Sequence, residues 1–197
     1  MKRYDRDYFE RWYRGPRRQV GGGAELERTV RLAVAAAEHL LGRPVRTVLD
    51  VGCGEARWRA PLRRIRTAAR YVGIDSSPYV VERWGRSRNI RLGSFGTLEH
   101  CGIDAPADLV VCADVLHYVP TPELRRGLGS LASLTAGVAY LPTFTRADSI
   151  VGDRQGFQRR SAAAYRKLFD GAGLVACGLH FYVPASSVGE LAALERC

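Results

Sequence analysis

The stretch Val48-Leu49-Asp50-Val51-Gly52-Cys53-Gly54-Glu55 joins an apolar run to a turn that contains two glycines, and a helical pattern follows it. An apolar, β-branched run of this kind predicts a buried parallel strand. In open α/β sheets, ligands bind outside the carboxyl ends of the strands, where glycine lets a ligand approach the backbone. The stretch therefore predicts a strand, a ligand-binding turn and a helix, although a plain strand-to-helix turn would show the same pattern.

Short apolar runs alternate with helical patterns along the rest of the chain. This alternation is typical of βαβ units and a parallel sheet. The sequence therefore predicts an α/β fold with a doubly wound, mostly parallel sheet and helices on both faces. Residues 188–194 fit either an edge strand or a short helix. Strands are expected at 45–51, 71–74, 90–92, 109–113, 137–141 and 174–183, and helices at 24–41, 57–66, 79–86, 123–134 and 162–172.

The N-terminal residues predict a short aromatic helix over 4–14, because Tyr4, Tyr8 and Trp12 recur at helical spacing with Phe9 and Tyr13 one step round. A glycine run follows at 21–23 and would act as a flexible joint. We expect residues 1–23 to form a lid on a ligand-binding domain at 24–197. The alternative is that the aromatic side chains pack permanently on the core.

Composition limits the function classes. A chain of 197 residues suits one domain, and its N-terminus has no apolar targeting run, so we expect a cytoplasmic protein with no membrane segment. The five cysteines lack metal-ligand spacing, which predicts no metal site. The net charge of +10 would suit nucleic acid, but 28 of the 30 basic residues are arginine and no block of five like charges occurs. Nucleic acid is therefore an unlikely partner.

Two further features distinguish a dinucleotide site or a phosphate loop from a site for a nucleoside without a pyrophosphate. Arg57 stands where a dinucleotide fingerprint needs its third glycine, and no Gly-Lys-Ser/Thr follows for a phosphate loop. The next predicted strand ends at Asp75 and Ser76, where a carboxylate can accept hydrogen bonds from both ribose hydroxyls. A cap of the following helix is the alternative role for Asp75. The pattern favours a nucleoside without a pyrophosphate.

The spacing Asp50-x-Gly52-x-Gly54 resembles the S-adenosylmethionine (SAM) motif of class I methyltransferases. The later segments Gly93-Ser94-Phe95 and 108–119 resemble further motifs of that family, in the same order along the chain. The resemblance implies SAM as the cofactor and a Rossmann-like fold. Two departures are Ala56 in place of the usual third glycine and the lack of a clear closing β-hairpin.

The resemblance also implies roles for individual residues. Asp50 would hold the ammonium of the methionine moiety, and the loop after it would admit the cofactor. Asp75 would bind the ribose hydroxyls, and Ser76 would flank the adenine together with Ile74. Ser94 would accept a hydrogen bond from the adenine amino group, and Phe95 would cover the base. The residues after the fourth strand would line the methyl-transfer site. The implied cofactor-binding residues are Asp50, Gly52, Cys53, Gly54, Asp75, Ser76, Ser94, Phe95, Ala113 and Asp114, with Tyr13 of the lid covering them.

The predicted function is SAM-dependent methyl transfer to oxygen or nitrogen of a small molecule, such as an acidic or aromatic metabolite. His117, just past the fourth strand, is the candidate general base, since imidazole titrates near neutrality; the other three histidines are assigned structural roles. Arg159 and Arg160 suggest an acidic acceptor. A nucleic-acid methyltransferase is one alternative, although the Pro-Pro-aromatic stretch of base-amine methylation is missing after Asp114. A non-catalytic SAM-binding protein is another.

Overall fold

The computed structural model describes residues 3–14, 23–150 and 152–190. Within these ranges no helix combines the length and apolar character needed to cross a membrane. Most of the glycine joint expected at 15–23 and the last residues, 191–197, lie outside the described residues.

Helices and strands alternate in the predicted order. The helices are α1 (Arg6–Phe9), α2 (Gly23–Leu41), α3 (Arg59–Ile65), α4 (Pro78–Arg88), α5 (Thr121–Ser133) and α6 (Ala162–Gly171). The strands are β1 (Thr47–Val51), β2 (Arg70–Asp75), β3 (Ile90–Leu92), β4 (Ala107–Val111), β5 (Thr135–Tyr140), β6 (Leu174–Gly178) and β7 (Phe181–Pro184). Short 3₁₀ helices, which the sequence analysis did not predict, cover Phe95–His100, Leu116–Tyr118 and Ala185–Glu190.

The seven strands form one sheet in the order β3-β2-β1-β4-β5-β7-β6. Strands β1 to β5 pair in parallel, whereas β7 runs antiparallel to both of its neighbours. The predicted doubly wound, mostly parallel sheet is confirmed. The strand order reverses between β1 and β4, and such a switch point opens a crevice at the carboxyl ends of the two strands.

The prediction of one long last strand at 174–183 is wrong. Leu179 and His180 adopt positive φ angles of 49° and 66° and turn the chain between β6 and β7. The closing hairpin that the sequence did not reveal is therefore present. The sequence signal was weak because the residues at the turn are not the Asn-Gly or Asp-Gly pairs that usually mark such turns.

The N-terminal helix packs against α4, where the rings of Phe9 and Tyr79 lie 5.8 Å apart. Asp5 caps α1 by accepting a hydrogen bond from the Tyr8 N–H at 3.1 Å. The α-helical part ends at Phe9, and a π-helical turn continues it over Glu10–Arg14. Phe9 is only 2% exposed and belongs to the core beside Val30 and Val34 of α2. This contact anchors the N-terminal segment to the rest of the molecule.

A buried ion pair ties the amino ends of β1 and β4 together. Asp108 accepts hydrogen bonds from the Arg43 guanidinium at 2.7 and 3.0 Å and from the backbone N–H groups of Arg46 and Thr47. Burial by itself would raise the pKa of Asp108, but these donors hold it below its usual value. The ion pair lies at the sheet edge opposite the crevice, so it fixes the strands without entering the site.

Candidate cofactor and acceptor site

The glycine loop after β1 is fastened to β2. The backbone N–H groups of Gly52 and Cys53 both donate to the Ile74 carbonyl, at 2.8 and 3.1 Å. Gly52, Gly54 and Ala56 have φ angles of 70°, 52° and 55°, a region that favours glycine. Ala56, the departure from the family pattern, therefore occupies a strained position as well as a buried one.

Asp75 connects this loop to the end of β2. Its Oδ2 accepts the Gly54 N–H at 2.7 Å, and its Oδ1 accepts the Ser77 N–H at 2.9 Å. Burial raises the pKa of Asp75, and the two N–H donors oppose that rise. Ser77 rather than Asp75 caps α4, since its hydroxyl accepts the Val80 N–H. Ser76, between them, is exposed.

Asp50 lies deeper, at 3% exposure, and accepts the Tyr71 hydroxyl at 2.7 Å. Burial raises the pKa of Asp50 to about 7, although the Tyr71 hydrogen bond lowers it. Sequence reasoning missed Tyr71, because only the pairing of β1 with β2 brings it next to Asp50. The neighbouring Cys53 thiol is also buried, which raises its pKa.

Other parts of the chain fill the space that the two loop glycines leave. A Cβ on Gly52 would lie 2.4 Å from Val115 Cγ2, and a Cβ on Gly54 would lie 2.6 Å from the Tyr13 hydroxyl. The segment after β4 and the N-terminal helix therefore both contact the loop. An ion pair between Arg14 and Glu55 adds a second contact of the N-terminal helix with this loop.

Tyrosines line the crevice beneath the N-terminal segment. The Tyr118 hydroxyl donates to the Asp153 carbonyl at 2.6 Å, and the Ser77 hydroxyl donates to the Tyr4 carbonyl. Burial raises the pKa of Tyr4 and of Tyr118 to about 12. These phenols therefore stay protonated at neutral pH and can donate hydrogen bonds.

The residues proposed to bind adenine lie at the end of β3. Ser94 caps the 3₁₀ helix Phe95–His100, and its hydroxyl lies 3.0 Å from Thr97 Oγ1. Phe95 is 5% exposed and packs closely on α5, where a Cβ on Gly127 would lie 2.1 Å from the Phe95 carbonyl oxygen. Adenine binding by Ser94 and Phe95 remains a prediction.

His117 is 1% exposed and surrounded by aromatic rings. Its ring centroid lies 4.3 Å from Tyr118, 5.2 Å from Phe144 and 5.6 Å from Phe157. The Phe144 N–H donates to His117 Nδ1 at 3.4 Å, which favours the tautomer protonated at Nε2. The role of His117 as a base remains a prediction.

Asp114 follows β4 and keeps an exposed side chain on the carboxyl edge, beside the half-buried Ala113. Its φ is 59°, and its N–H donates to the Pro142 carbonyl at 3.2 Å. Burial of its carboxyl by neighbouring atoms raises the pKa of Asp114, and the nearby His180 opposes that rise. Sequence reasoning gave His180 a structural role, because only the unforeseen hairpin brings it to this edge.

Arg160, which suggested an acidic acceptor, is occupied by internal contacts. Its guanidinium donates to the carbonyls of Leu116 and Val119 and to the Thr121 hydroxyl. It also donates to the Tyr165 hydroxyl at 3.3 Å. Arg160 therefore fastens the segment after β5 to the segment after β4, and its charge gives little support for an acidic acceptor.

The residues at the crevice suit SAM. Asp75 offers a carboxylate at the position of a ribose ligand, and Gly52 and Gly54 offer backbone without side chains. In the parts of the chain that the structure describes, no group of three His, Cys, Asp or Glu residues could hold a metal ion. The sheet order and this crevice define a protein of the class I methyltransferase fold.

Comparison with known proteins agrees with this class. Residues 48–136 match the family model of a methyltransferase domain. DesVI of Streptomyces venezuelae aligns over 82% of this chain and 91% of its own, with 15% identity and a TM-score of 0.60. The sugar N-methyltransferase KedS8 from Streptoalloteichus sp. aligns over 90% and 92%, with 17% identity and a TM-score of 0.60. No curated protein matches the sequence significantly.

A third solved structure contains the demethylated cofactor. The plantazolicin methyltransferase BpumL, in complex with S-adenosylhomocysteine (SAH), aligns over 81% of this chain and 70% of its own, with 14% identity and a TM-score of 0.59. Together with the family-model match, these findings confirm the predicted resemblance. Residues 48–136 therefore resemble a methyltransferase domain, and the chain has the fold of the class I methyltransferases.

Proposed function

We propose that the chain transfers the methyl group of SAM to nitrogen or oxygen of a small-molecule acceptor. The observation that carries the proposal is that Asp75 accepts the N–H groups of both Gly54 and Ser77 and so links the glycine loop to the end of β2. The N-terminal helix covers this crevice through Tyr13. A covered crevice suits a small acceptor better than a nucleic-acid strand. The sugar N-methyltransferase KedS8, which shares the fold, supports the same acceptor class.

SAM supplies a methyl group made electrophilic by its sulfonium, so the residues of this chain mainly bind, orient and exclude water. Asp75 would accept hydrogen bonds from the ribose hydroxyls, and the loop at Gly52 and Gly54 would contact the methionine moiety once the Tyr13 side chain moves away from Gly54. Tyr13 and its helix would act as the lid that keeps water out. His117 would accept the proton that a hydroxyl acceptor loses.

Calorimetry with SAH tests the cofactor site. The wild type should bind SAH in the micromolar range, on the order of −8 kcal/mol. Asp75→Asn should lose most of this binding, because an amide cannot accept from two ribose hydroxyls as a carboxylate does. Asp104→Asn, in an exposed loop, is the matched control and should bind as the wild type does. Binding of a nicotinamide dinucleotide in place of SAH would contradict the proposal.

Radiolabelled methyl transfer tests the acceptor class. Incubating the protein with methyl-labelled SAM and a cell extract, then separating small molecules from nucleic acids and proteins, should place the label in the small-molecule fraction. Label in nucleic acid would establish the alternative of nucleic-acid methylation. SAM binding without any transferred label would instead indicate a non-catalytic SAM-binding protein.

A further inference from the structure

Asp114, Tyr140 and His180 come together on the carboxyl edge of the sheet, beside the glycine loop. Leu141 donates its N–H to the His180 carbonyl at 2.9 Å, and the next residue, Pro142, accepts the Asp114 N–H at 3.2 Å. The rings of Tyr140 and His180 lie 6.5 Å apart. Leu141 and Pro142, just after β5, therefore position both Asp114 and His180. We call Asp114, Tyr140 and His180 the edge cluster.

The edge cluster adjoins the loop expected to hold the methyl donor. Val115, the residue after Asp114, fills the space in front of Gly52, where a Cβ would be 2.4 Å from its Cγ2. Trp58, just past the loop, has its ring 5.6 Å from Tyr140. An acceptor held by the edge cluster would therefore lie next to the cofactor.

Backbone strain is concentrated around the edge cluster. Among the described residues, five that are not glycine have a positive φ, and three of them are Asp114, Leu179 and His180. A left-handed conformation is strained for an L-residue, and such strain collects where function requires a particular side-chain direction. The directions of Asp114 and His180 are therefore maintained at a cost to stability.

The charge around the edge cluster is unlike that of the whole protein. Glu25 of α2 acts on Asp114 and Tyr140, and Asp148 lies near His180, so three carboxylates lie around the His180 imidazole. The Tyr118 phenol and the Cys112 thiol also lie near Asp114. By contrast, residues 57–91 hold ten arginines against Asp75 and Glu82, which gives +8 of the net +10.

The arginine-rich segment spans α3, β2, α4 and β3, whereas the edge cluster belongs to β4, β5 and the β6–β7 turn. These two halves lie on opposite sides of the β1–β4 switch point. The carboxylates around the edge cluster favour an acceptor that carries a positive charge.

We infer that the acceptor is an amine, that Asp114 binds its ammonium group and that His180 accepts the proton the ammonium must lose before methyl transfer. This assignment rests on the proposed function and specifies its acceptor. The freed nitrogen lone pair forms the new N–CH₃ bond, and the C–S bond of SAM breaks with its electron pair passing to sulfur. His180 is exposed and returns its proton to solvent, and Tyr140 forms an apolar wall with a phenol donor.

A measurement without any acceptor tests the juxtaposition. Side-chain ¹³C NMR of the aspartates gives the pKa of the Asp114 carboxyl in the wild type and in His180→Gln. Removal of the imidazole should raise the pKa of Asp114 further, because His180 lowers it in the wild type. His100→Gln, an exposed histidine on the 3₁₀ helix after β3, is the control and should leave it unchanged. An unchanged value in His180→Gln would overturn the assignment.

Matched acceptors test the chemistry. Methyl transfer from SAM is measured with two sets of compounds, each made up of an amine, an alcohol and a carboxylate. The aromatic set is benzylamine, benzyl alcohol and benzoate, and the sugar set is glucosamine, glucose and gluconate. In each set, the amine should be methylated at least tenfold faster than the alcohol and the carboxylate. A preference for the alcohol or the carboxylate would overturn the assignment. If SAH binds and neither these compounds nor the small molecules of a cell extract are methylated, the proposed small-molecule function itself fails, and this assignment falls with it.

Variants then separate the two roles. Asp114→Asn should raise KM for the amine at least tenfold more than it raises the dissociation constant of SAH, whereas Asp104→Asn should change neither. His180→Gln should lower kcat near neutral pH and regain most of it at high pH, where the free amine predominates; His100→Gln should follow the wild type throughout. If KM for the amine is the same in Asp114→Asn as in Asp104→Asn, Asp114 does not bind the acceptor. If kcat of His180→Gln stays low at high pH, His180 does not accept the proton.

Discussion

Asp50 and Asp75 lie near the ends of neighbouring strands, yet their surroundings differ. Asp75 receives two backbone N–H donors, whereas Asp50 receives one phenol and is more deeply buried. The pKa of Asp50 at about 7 means that the carboxyl is partly protonated at neutral pH. An Asp50 that holds the cofactor ammonium would become fully ionised, so cofactor binding should release a proton.

Asp50 should also make stability depend on pH. Between about pH 4 and pH 7 the unfolded chain has lost the Asp50 proton while the folded chain retains it, so the free energy of unfolding falls as pH rises. Three pKa units correspond to about 4 kcal/mol. Asp50→Asn should remove this pH dependence, so the variant should become more stable relative to the wild type as the pH rises towards 7.5. Urea unfolding at several pH values measures the free energy of unfolding of both proteins, with Asp104→Asn as the control. A difference between wild type and Asp50→Asn that stays constant with pH would contradict the prediction.

His117 allows a kinetic distinction between base and packing residue. As a base, it should give a rate that rises with pH as the imidazole loses its proton, and His117→Ala should lose about 10²- to 10⁴-fold in kcat with SAM affinity nearly unchanged. If His117 only packs among the aromatic rings, His117→Ala should instead lower the free energy of unfolding. The pH profiles of both proteins, recorded where both are folded, decide the matter. Parallel profiles with similar rates would exclude His117 from proton transfer.

At the scale of elements, the strands and helices around the glycine loop were predictable, because each has a distinct hydrophobic pattern and a glycine, proline or cap at its ends. Strand β3 has the predicted bounds, and α2 differs from its prediction by one residue. The β6–β7 turn was not predictable, since Leu179 and His180 carry no turn signal. The pairing of Tyr71 with Asp50 and the approach of His180 to Asp114 depend on sheet register, which one sequence does not encode locally.

The N-terminal helix is the element whose removal is most informative. Deleting residues 1–14 should leave a folded domain, because α2 and the sheet remain, but should lower the melting temperature by exposing the site that Phe9 fills. SAM binding and turnover should fall sharply, because Tyr13 no longer covers Gly54. Circular dichroism, calorimetry and turnover are measured together.

The variant Phe9→Ala is the matched comparison for this deletion, since it removes the core contact and keeps the covering tyrosines. It should cost about 3–5 kcal/mol of stability and retain turnover at temperatures where it is folded. An unfolded deletion variant would show that the helix belongs to the core. A deletion variant with full turnover would show that the helix is dispensable.

At the scale of the whole molecule, a ligand that binds only the folded state should stabilise it. With SAH at about 100 times its dissociation constant, the gain is about 2.7 kcal/mol. For a chain of this size, that gain raises the melting temperature by roughly 5 to 10 °C. Asp75→Asn should lose the shift, and NAD should give none, because the glycine loop lacks the third glycine of a dinucleotide site. A larger shift with NAD than with SAH would contradict the cofactor assignment, even though the fold would be unchanged.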